Sequence, residues 1–209
     1  MTADTRLLFC YGAMMSPSVL SKRGVNPKHT ALARVLSDDL AVSFSHRAAY
    51  ATLTYNDPHD LPGHAESALC RTRPFGLVLE LADDELARVA EKEVGYRLSH
   101  VAVERLDVDP PRELLVEAFV SNWGMELLDG PLPPTARYKK VIEEGVDVLE
   151  RQGVDKFEGG TAYVAWVRSL PTVDVASHPA YSRTGVALAT NAGFAVAGAA
   201  LLYSHLFLH

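Results

Sequence analysis

Residues 75–96, "FGLVLELADDELARVAEKEVGY", constrain the fold of this chain more than any other stretch. The run Phe75 to Leu81 is apolar but for one glutamate, of strand length, and too short to span a globular helix, so it is predicted to be a buried strand. The pattern then changes period. Leu86, Val89 and Ala90 recur at helical spacing, and Asp83 or Asp84 stands where a side chain would cap the first turn. At roughly 100° per residue, Glu93 falls on that apolar stripe and Glu91 on the opposite, solvated side. A carboxylate turned inward must be paired, hydrogen-bonded or protonated, and such a group is a candidate general base. At the end of its helix the same side chain can also swing out to water. Periodicity leaves both placements open.

The remaining elements follow from the same rules. Arg6 to Tyr11 is a β-type run that stops at Tyr11-Gly12, and "SPSVLSKRG" has the form of a short helix closed by Gly24. "LAVSFSH" alternates as a half-buried strand does. Residues 52–68 begin as a strand and pass into a Pro/Gly/Asp loop. "HVAVERLDV" and "ELLVEAFVSNW" are strands on either side of Pro110-Pro111, and "PPTARYKKVIEEGVDVLERQG" is a helix with prolines before its first turn and glycine after its last. "TAYVAWVRSL" is a further short apolar run. Strands first, two helices, hairpin-like connections and no Gly-rich phosphate loop predict an α+β domain over residues 5–168, a small mixed or antiparallel β-barrel with flanking helices.

Beyond a polar linker at 169–184 comes an unusual tail. Residues 185–209, "GVALATNAGFAVAGAALLYSHLFLH", hold no Lys, Arg, Asp or Glu. A span of about 20 apolar residues suffices to cross a bilayer. Alanine and glycine dilute the tail and Asn191 interrupts it, so a buried helix of the domain is one outcome and a transmembrane helix the other. Ala189, Gly193 and Ala197 recur four apart, the spacing that lets membrane helices approach closely. The tail is therefore expected to be a single-pass C-terminal helix that packs against other membrane-protein subunits, with an organellar (mitochondrial) membrane as its expected location and a cytoplasm-facing domain as the alternative. The N-terminus has Asp4, a single Arg and no small-residue cleavage site, and is not expected to be a targeting peptide.

Composition narrows the functions. A net charge of −6 gives no basic stripe for nucleic acid. Cys10 and Cys70 stand singly in apolar runs and are expected to be reduced core residues. His59 and His64 lie in a Pro/Gly loop without further ligands at metal spacing. Ser16 and Ser18 fit helix capping better than nucleophilic chemistry, and Asp38-Asp39 and Glu143-Glu144 fit solvated faces. Neither a metal nor an organic cofactor is expected.

Three segments, in order over residues 6–155, resemble the γ-glutamylcyclotransferase family. "LLFCYGAMMSPSVLSKRGV" is similar to its opening strand and loop, usually Tyr-Gly-Ser-Asn followed by Leu or Met. "FGLVLELADDELARVAEKEVGYRLSHVAV" is similar to its central strand, the helix carrying its catalytic glutamate, and the Gly-Tyr strand beyond. "PPTARYKKVIEEGVDVL" is similar to its late Pro-Ser-x-x-Tyr helix. The resemblance implies a small α+β barrel without metal or cofactor that cyclises a γ-glutamyl group, releasing 5-oxoproline and an amine, amino acid or dipeptide. It places Glu93 as the base, Tyr11, Gly12, Ala13 and Met14 as the substrate loop, Tyr96 as the aromatic after the glutamate, and Tyr138 as a pocket wall or hydroxyl contact.

The departures fall in that loop. Ala13 replaces Ser and Met14 replaces Asn, so the backbone donors persist while two polar side chains are gone. Ala90 and Val94 stand where the family often has Asp and Gly. Loss of a polar partner to a buried group costs about 1–3 kcal/mol. The altered loop and the small-residue tail together predict a membrane-anchored, weakly catalytic or non-catalytic accessory subunit of an integral membrane complex. Retention of Glu93 predicts an active cyclotransferase acting on γ-glutamyl peptides or amines.

Overall fold

The computed structural model describes residues 5–55, 70, 72–122, 124–125 and 131–173. His59 and His64, the linker beyond residue 173 and the tail at 185–209 lie outside them. Along the chain run β1 (Thr5–Cys10), α1 (Pro17–Lys22), β2 (His29–Val35), β3 (Leu40–His46), β4 (Tyr50–Tyr55), β5 (Phe75–Ala82), α2 (Asp83–Lys92), β6 (Tyr96–Arg105), β7 (Arg112–Ser121), α3 (Ala136–Arg151) and α4 (Gly160–Ser169). Among the described residues no helix is long and apolar enough to cross a membrane.

Five strands close into a barrel in the order β1-β5-β2-β6-β7. Every pairing is antiparallel except the closing one, where β1 runs parallel to β7 with Leu8 opposite Glu117 and Phe9 opposite Ala118. The barrel is mixed, as the order of elements predicts. β5 lies between β1 and β2, and Phe75 to Leu79 are buried without alternation. Such a strand has both faces covered. On the outside, Tyr163 of α4 packs against Phe75, with ring centroids 5.8 Å apart.

Two expectations change here. β3 is not half-buried: Ala41 to His46 are all shielded from solvent, including Ser43, Ser45 and His46. The hairpin of β3 and β4 is pressed between layers. Phe44 meets Tyr138 of α3 edge-on at 6.3 Å and Trp166 of α4 at 6.1 Å. On the other side, the Ser121 amide of β7 donates to Thr52 Oγ1 at 2.9 Å. The run "TAYVAWVRSL", whose pattern specifies no element, is α4. Its buried positions Gly160, Tyr163, Val164 and Val167 follow helical spacing. Leu170 beyond it is buried, and the Val173 amide donates to the Pro134 carbonyl at 3.2 Å.

The ends of α2 and α3 set the site. The cap of α2 is Ala82 rather than Asp83 or Asp84, which occupy the first turn where their charges favour the helix dipole. Glu85 reaches back to accept from the Ala82 amide at 3.1 Å. In α2, Leu86 and Val89 are buried but Ala90 is exposed, so the inward stripe runs Leu86-Val89-Glu93. The start of α3 is fixed by Thr135, whose hydroxyl accepts from the Tyr138 amide at 3.1 Å. Glu144 is not merely a solvated face. Its Oε2 accepts from both Ser16 and Ser18 at 2.6 Å, tying α3 to the start of α1.

Candidate active site

At the end of β1 the chain leaves the barrel through Tyr11 and Gly12 and enters a 3₁₀ turn, Ala13–Met15. That turn's own bonds run from the Met15 and Ser16 amides to the Gly12 and Ala13 carbonyls, at 3.0 Å each. The amides at the head of the turn stand outside this ladder. A Cβ at Gly12 would stand 3.2 Å from both Ala51 Cβ and the Tyr138 hydroxyl, so both neighbours would have to give by a few tenths of an ångström. With glycine, β4 and α3 close tightly on the turn.

The turn forms one side of a cavity of about 570 Å³. Glu93, Tyr11, Gly12, Ala13, Met14, Tyr96 and Tyr138, the residues singled out from the sequence, all line it. Glu93 is turned inward. It is the residue at which α2 ends (φ −87°, ψ 54°), and its side chain is only 15% exposed. The outward swing is not adopted, because Arg23 at the end of α1 donates from Nη1 to Glu93 Oε1. Arg23 is in turn set by fastening α1 to α2: Arg88 Nη2 donates to the Gly24 carbonyl at 3.3 Å, and Glu85 accepts from the Asn26 amide at 2.8 Å.

The three tyrosines have a second occupation. The Tyr11 hydroxyl donates to the Phe119 carbonyl and accepts from the Leu53 amide. The Tyr96 hydroxyl donates to the Ala51 carbonyl at 2.9 Å. The Ala51 amide donates to the Tyr138 hydroxyl at 3.1 Å. β4 is thus held at the cavity wall by tyrosine side chains. Burial raises the phenol pKa of all three above the ordinary value. They are neutral hydrogen-bonding groups near neutral pH and cannot serve as the base.

His46 also stands in the wall. Its ring stacks on Tyr96 at 4.0 Å and its Nδ1 lies 2.8 Å from Ser121 Oγ. Burial, reinforced by the Arg47 charge, lowers its pKa from 6.5 to about 4. A neutral imidazole of such low basicity is a poor acceptor for an ammonium proton. Between about pH 6.5 and 4 the unfolded chain binds a proton at this position that the folded chain does not. Stability should therefore be fully present above pH 6.5 and fall as pH drops through that window, by up to about 1.4 kcal/mol per pH unit. Urea midpoints measured from pH 7.5 to 4.5 should decline less steeply in His46→Gln than in the unmodified chain. Parallel curves would contradict the assignment.

Two cavity features escape sequence reasoning. Arg23 is separated from Glu93 by 70 residues, and no spacing rule joins them; its position just after a short helix was the only local signal. The second is charge. Among the described residues, Arg23, Arg47, Lys92 and Arg137 line the cavity with Glu93 as its only acidic residue, in a chain whose net charge is −6. Cys10 also lines it; burial raises its thiol pKa, as does the nearby Glu93. Cys10 and Cys70 are free and buried, as expected. Among the described residues no group of side chains could hold a metal ion.

Two solved structures share this architecture. A gamma-glutamyl cyclotransferase superposes with a TM-score of 0.57 at 16% identity, over 90% of this chain and 99% of that one. YkqA from Bacillus subtilis gives 0.56 at 16% identity, over 81% of this chain and 56% of YkqA, so the chain spans about half of that protein. No protein-family model and no curated protein matches the sequence. The likeness establishes the fold, a small α+β barrel of the kind seen in gamma-glutamyl cyclotransferase.

Proposed function

We propose that the cavity binds a γ-glutamyl compound and cyclises it to 5-oxoproline, with Glu93 as the general base. The observation that carries this reading is that Glu93 is turned into the same cavity as the Tyr11–Met14 turn. The substrate's α-ammonium gives a proton to the Glu93 carboxylate, and the freed amine attacks the γ-carbonyl carbon. Negative charge grows on the carbonyl oxygen, where amides at the head of the turn can receive it. A nitrogen–carbon bond closes the five-membered ring, Glu93 returns its proton to the leaving nitrogen as the bond to it breaks, and the ring nitrogen's remaining extra proton passes through the same carboxylate to the departing amine, which leaves as an ammonium. Holding amine and carbonyl face to face is the cavity's main contribution. The test is release of 5-oxoproline from γ-glutamyl amino acids, dipeptides and amines by the full chain. No release from any member of the panel would overturn this reading.

A second reading keeps the binding cavity but removes the enzyme: a membrane-anchored accessory subunit of an organellar membrane complex, held through residues 185–209. It is favoured by Ala13 and Met14, which place no polar side-chain atom on the turn. Here the full chain should resist carbonate extraction from membranes, and deletion of 185–209 should release it. Recovery of the full chain in the soluble fraction would refute the anchor.

A further inference from the structure

The reaction proposed above needs a receptor for the substrate's α-carboxylate, and the side chains of Ala13 and Met14 cannot supply one. Amine and carboxylate sit on the same carbon. Whatever holds the carboxylate must therefore be an immediate neighbour of the base that takes the amine's proton. Among the described residues four cations line the cavity, and one of them touches Glu93: Arg23. Arg47 bonds instead to the Val94 carbonyl at 3.5 Å, and Lys92 and Arg137 are exposed residues of the lining with no carboxylate partner among the described residues.

The Arg23–Glu93 pair has the polarity of an amino-acid head group in reverse. A zwitterion placed against it sets ammonium on carboxylate and carboxylate on guanidinium. Both side chains are largely shielded, at 19% and 15% exposure, so the charges act through a medium of low effective dielectric. Arg23 carries five N–H donors in a planar fork that suits a carboxylate. One of them, on Nη1, is used on Glu93.

We infer that Arg23 is the binding residue for the substrate's α-carboxylate, and that the Arg23–Glu93 ion pair is a placeholder for the α-amino-acid head group. On binding, Arg23 transfers its donors from Glu93 to the substrate carboxylate, and Glu93 turns to the ammonium whose proton it removes. The pair keeps Glu93 inward and compensated while the cavity is empty. It also restricts the site to compounds with a free α-carboxylate beside a free α-amine. This inference rests on the proposed function for its catalytic half only; its binding half can stand without turnover.

The test uses the full chain and two measurements. In calorimetric titration, L-glutamine, which carries the complete head group, should bind roughly 10- to 100-fold more tightly than 4-aminobutanamide, which lacks the carboxylate. Arg23→Gln should reduce that ratio to a few-fold, Arg23→Lys should retain part of it, and Arg151→Gln, at an exposed position outside the cavity lining, should leave it unchanged. In turnover, kcat/KM for a γ-glutamyl amide over its α-carboxamide counterpart should follow the same ranking. Equal losses for both compounds in Arg23→Gln would mean that Arg23 only holds Glu93, and would overturn the inference while leaving the proposed reaction intact. Arg23-dependent binding of L-glutamine without any 5-oxoproline would remove the proposed reaction and retain the inference. Failure of L-glutamine to outbind 4-aminobutanamide in the unmodified chain would overturn the inference outright.

Discussion

Glu93→Gln should lower the rate of 5-oxoproline formation by about 10²- to 10⁴-fold, the range a positioned general base supplies. The substitution removes proton affinity and little else. Glutamine has the same length, and its side-chain carbonyl can still accept from Arg23, so α1 and α2 should stay fastened and the fold should persist. Stability should fall by about 1–3 kcal/mol, because a charge-assisted bond to a part-buried guanidinium becomes a neutral one. Near-normal turnover in folded Glu93→Gln would identify some other group as the base. Tyr11, Tyr96 and Tyr138 hold their protons, and His46 is a weak acceptor.

Gly76→Ala should give the largest loss of stability of any single methyl added to the barrel wall beside the cavity. A Cβ at Gly76 would lie 2.2 Å from the Cys10 carbonyl oxygen and 2.8 Å from two carbon atoms of the Phe9 ring. Phe9 is itself buried and can move little. The nearer clash is with backbone, so no side chain can rotate away. β5 is paired on both sides, with Leu77 opposite Cys10 on β1 and Gly76 opposite Ala33 on β2. Relief therefore requires two ladders to shift together. Overpacking of this kind costs roughly 3 kcal/mol, which for a domain of this size lowers Tm by about 6–12 °C. Because Cys10 leads directly into Tyr11 and the turn beyond, the cavity should be distorted as well. Chemical denaturation and ligand titration would read the two effects separately. A midpoint matching the unmodified chain would show that the strands yield more easily than their pairing implies.

The barrel was largely legible in the sequence because its strands and helices obey short periods. Residues 75–96 specify a strand and a helix and put Glu93 on the stripe of Leu86 and Val89, but it is Arg23 that decides the inward placement. The loop at Tyr11 and the helix leading from Thr135 were legible through the family resemblance, and the structure brings their residues to one cavity. What was hidden depends on distant parts of the chain. His46 is covered by Tyr96 of β6 and Ser121 of β7, and its neighbour Phe44 by α3 and α4, all far along the chain, which alternation within "LAVSFSH" cannot register. Ala90 looks inward by spacing, yet no neighbouring element covers it. Arg23 becomes meaningful only when α1 is folded against α2. The carboxylate of Glu144 looks solvated until Ser16 and Ser18 arrive beneath it.

The tyrosines that face the cavity bear on how such a site could diverge. Tyr11, Tyr96 and Tyr138 each bond to the backbone of β4, so a lineage that altered one of them to suit a new ligand would also loosen a strand. Selection for novelty is thereby diverted to wall positions with no such duty. The exposed cations at 92 and 137 are where specificity can drift cheaply, and descendants of this barrel should differ there while their tyrosines stay in place.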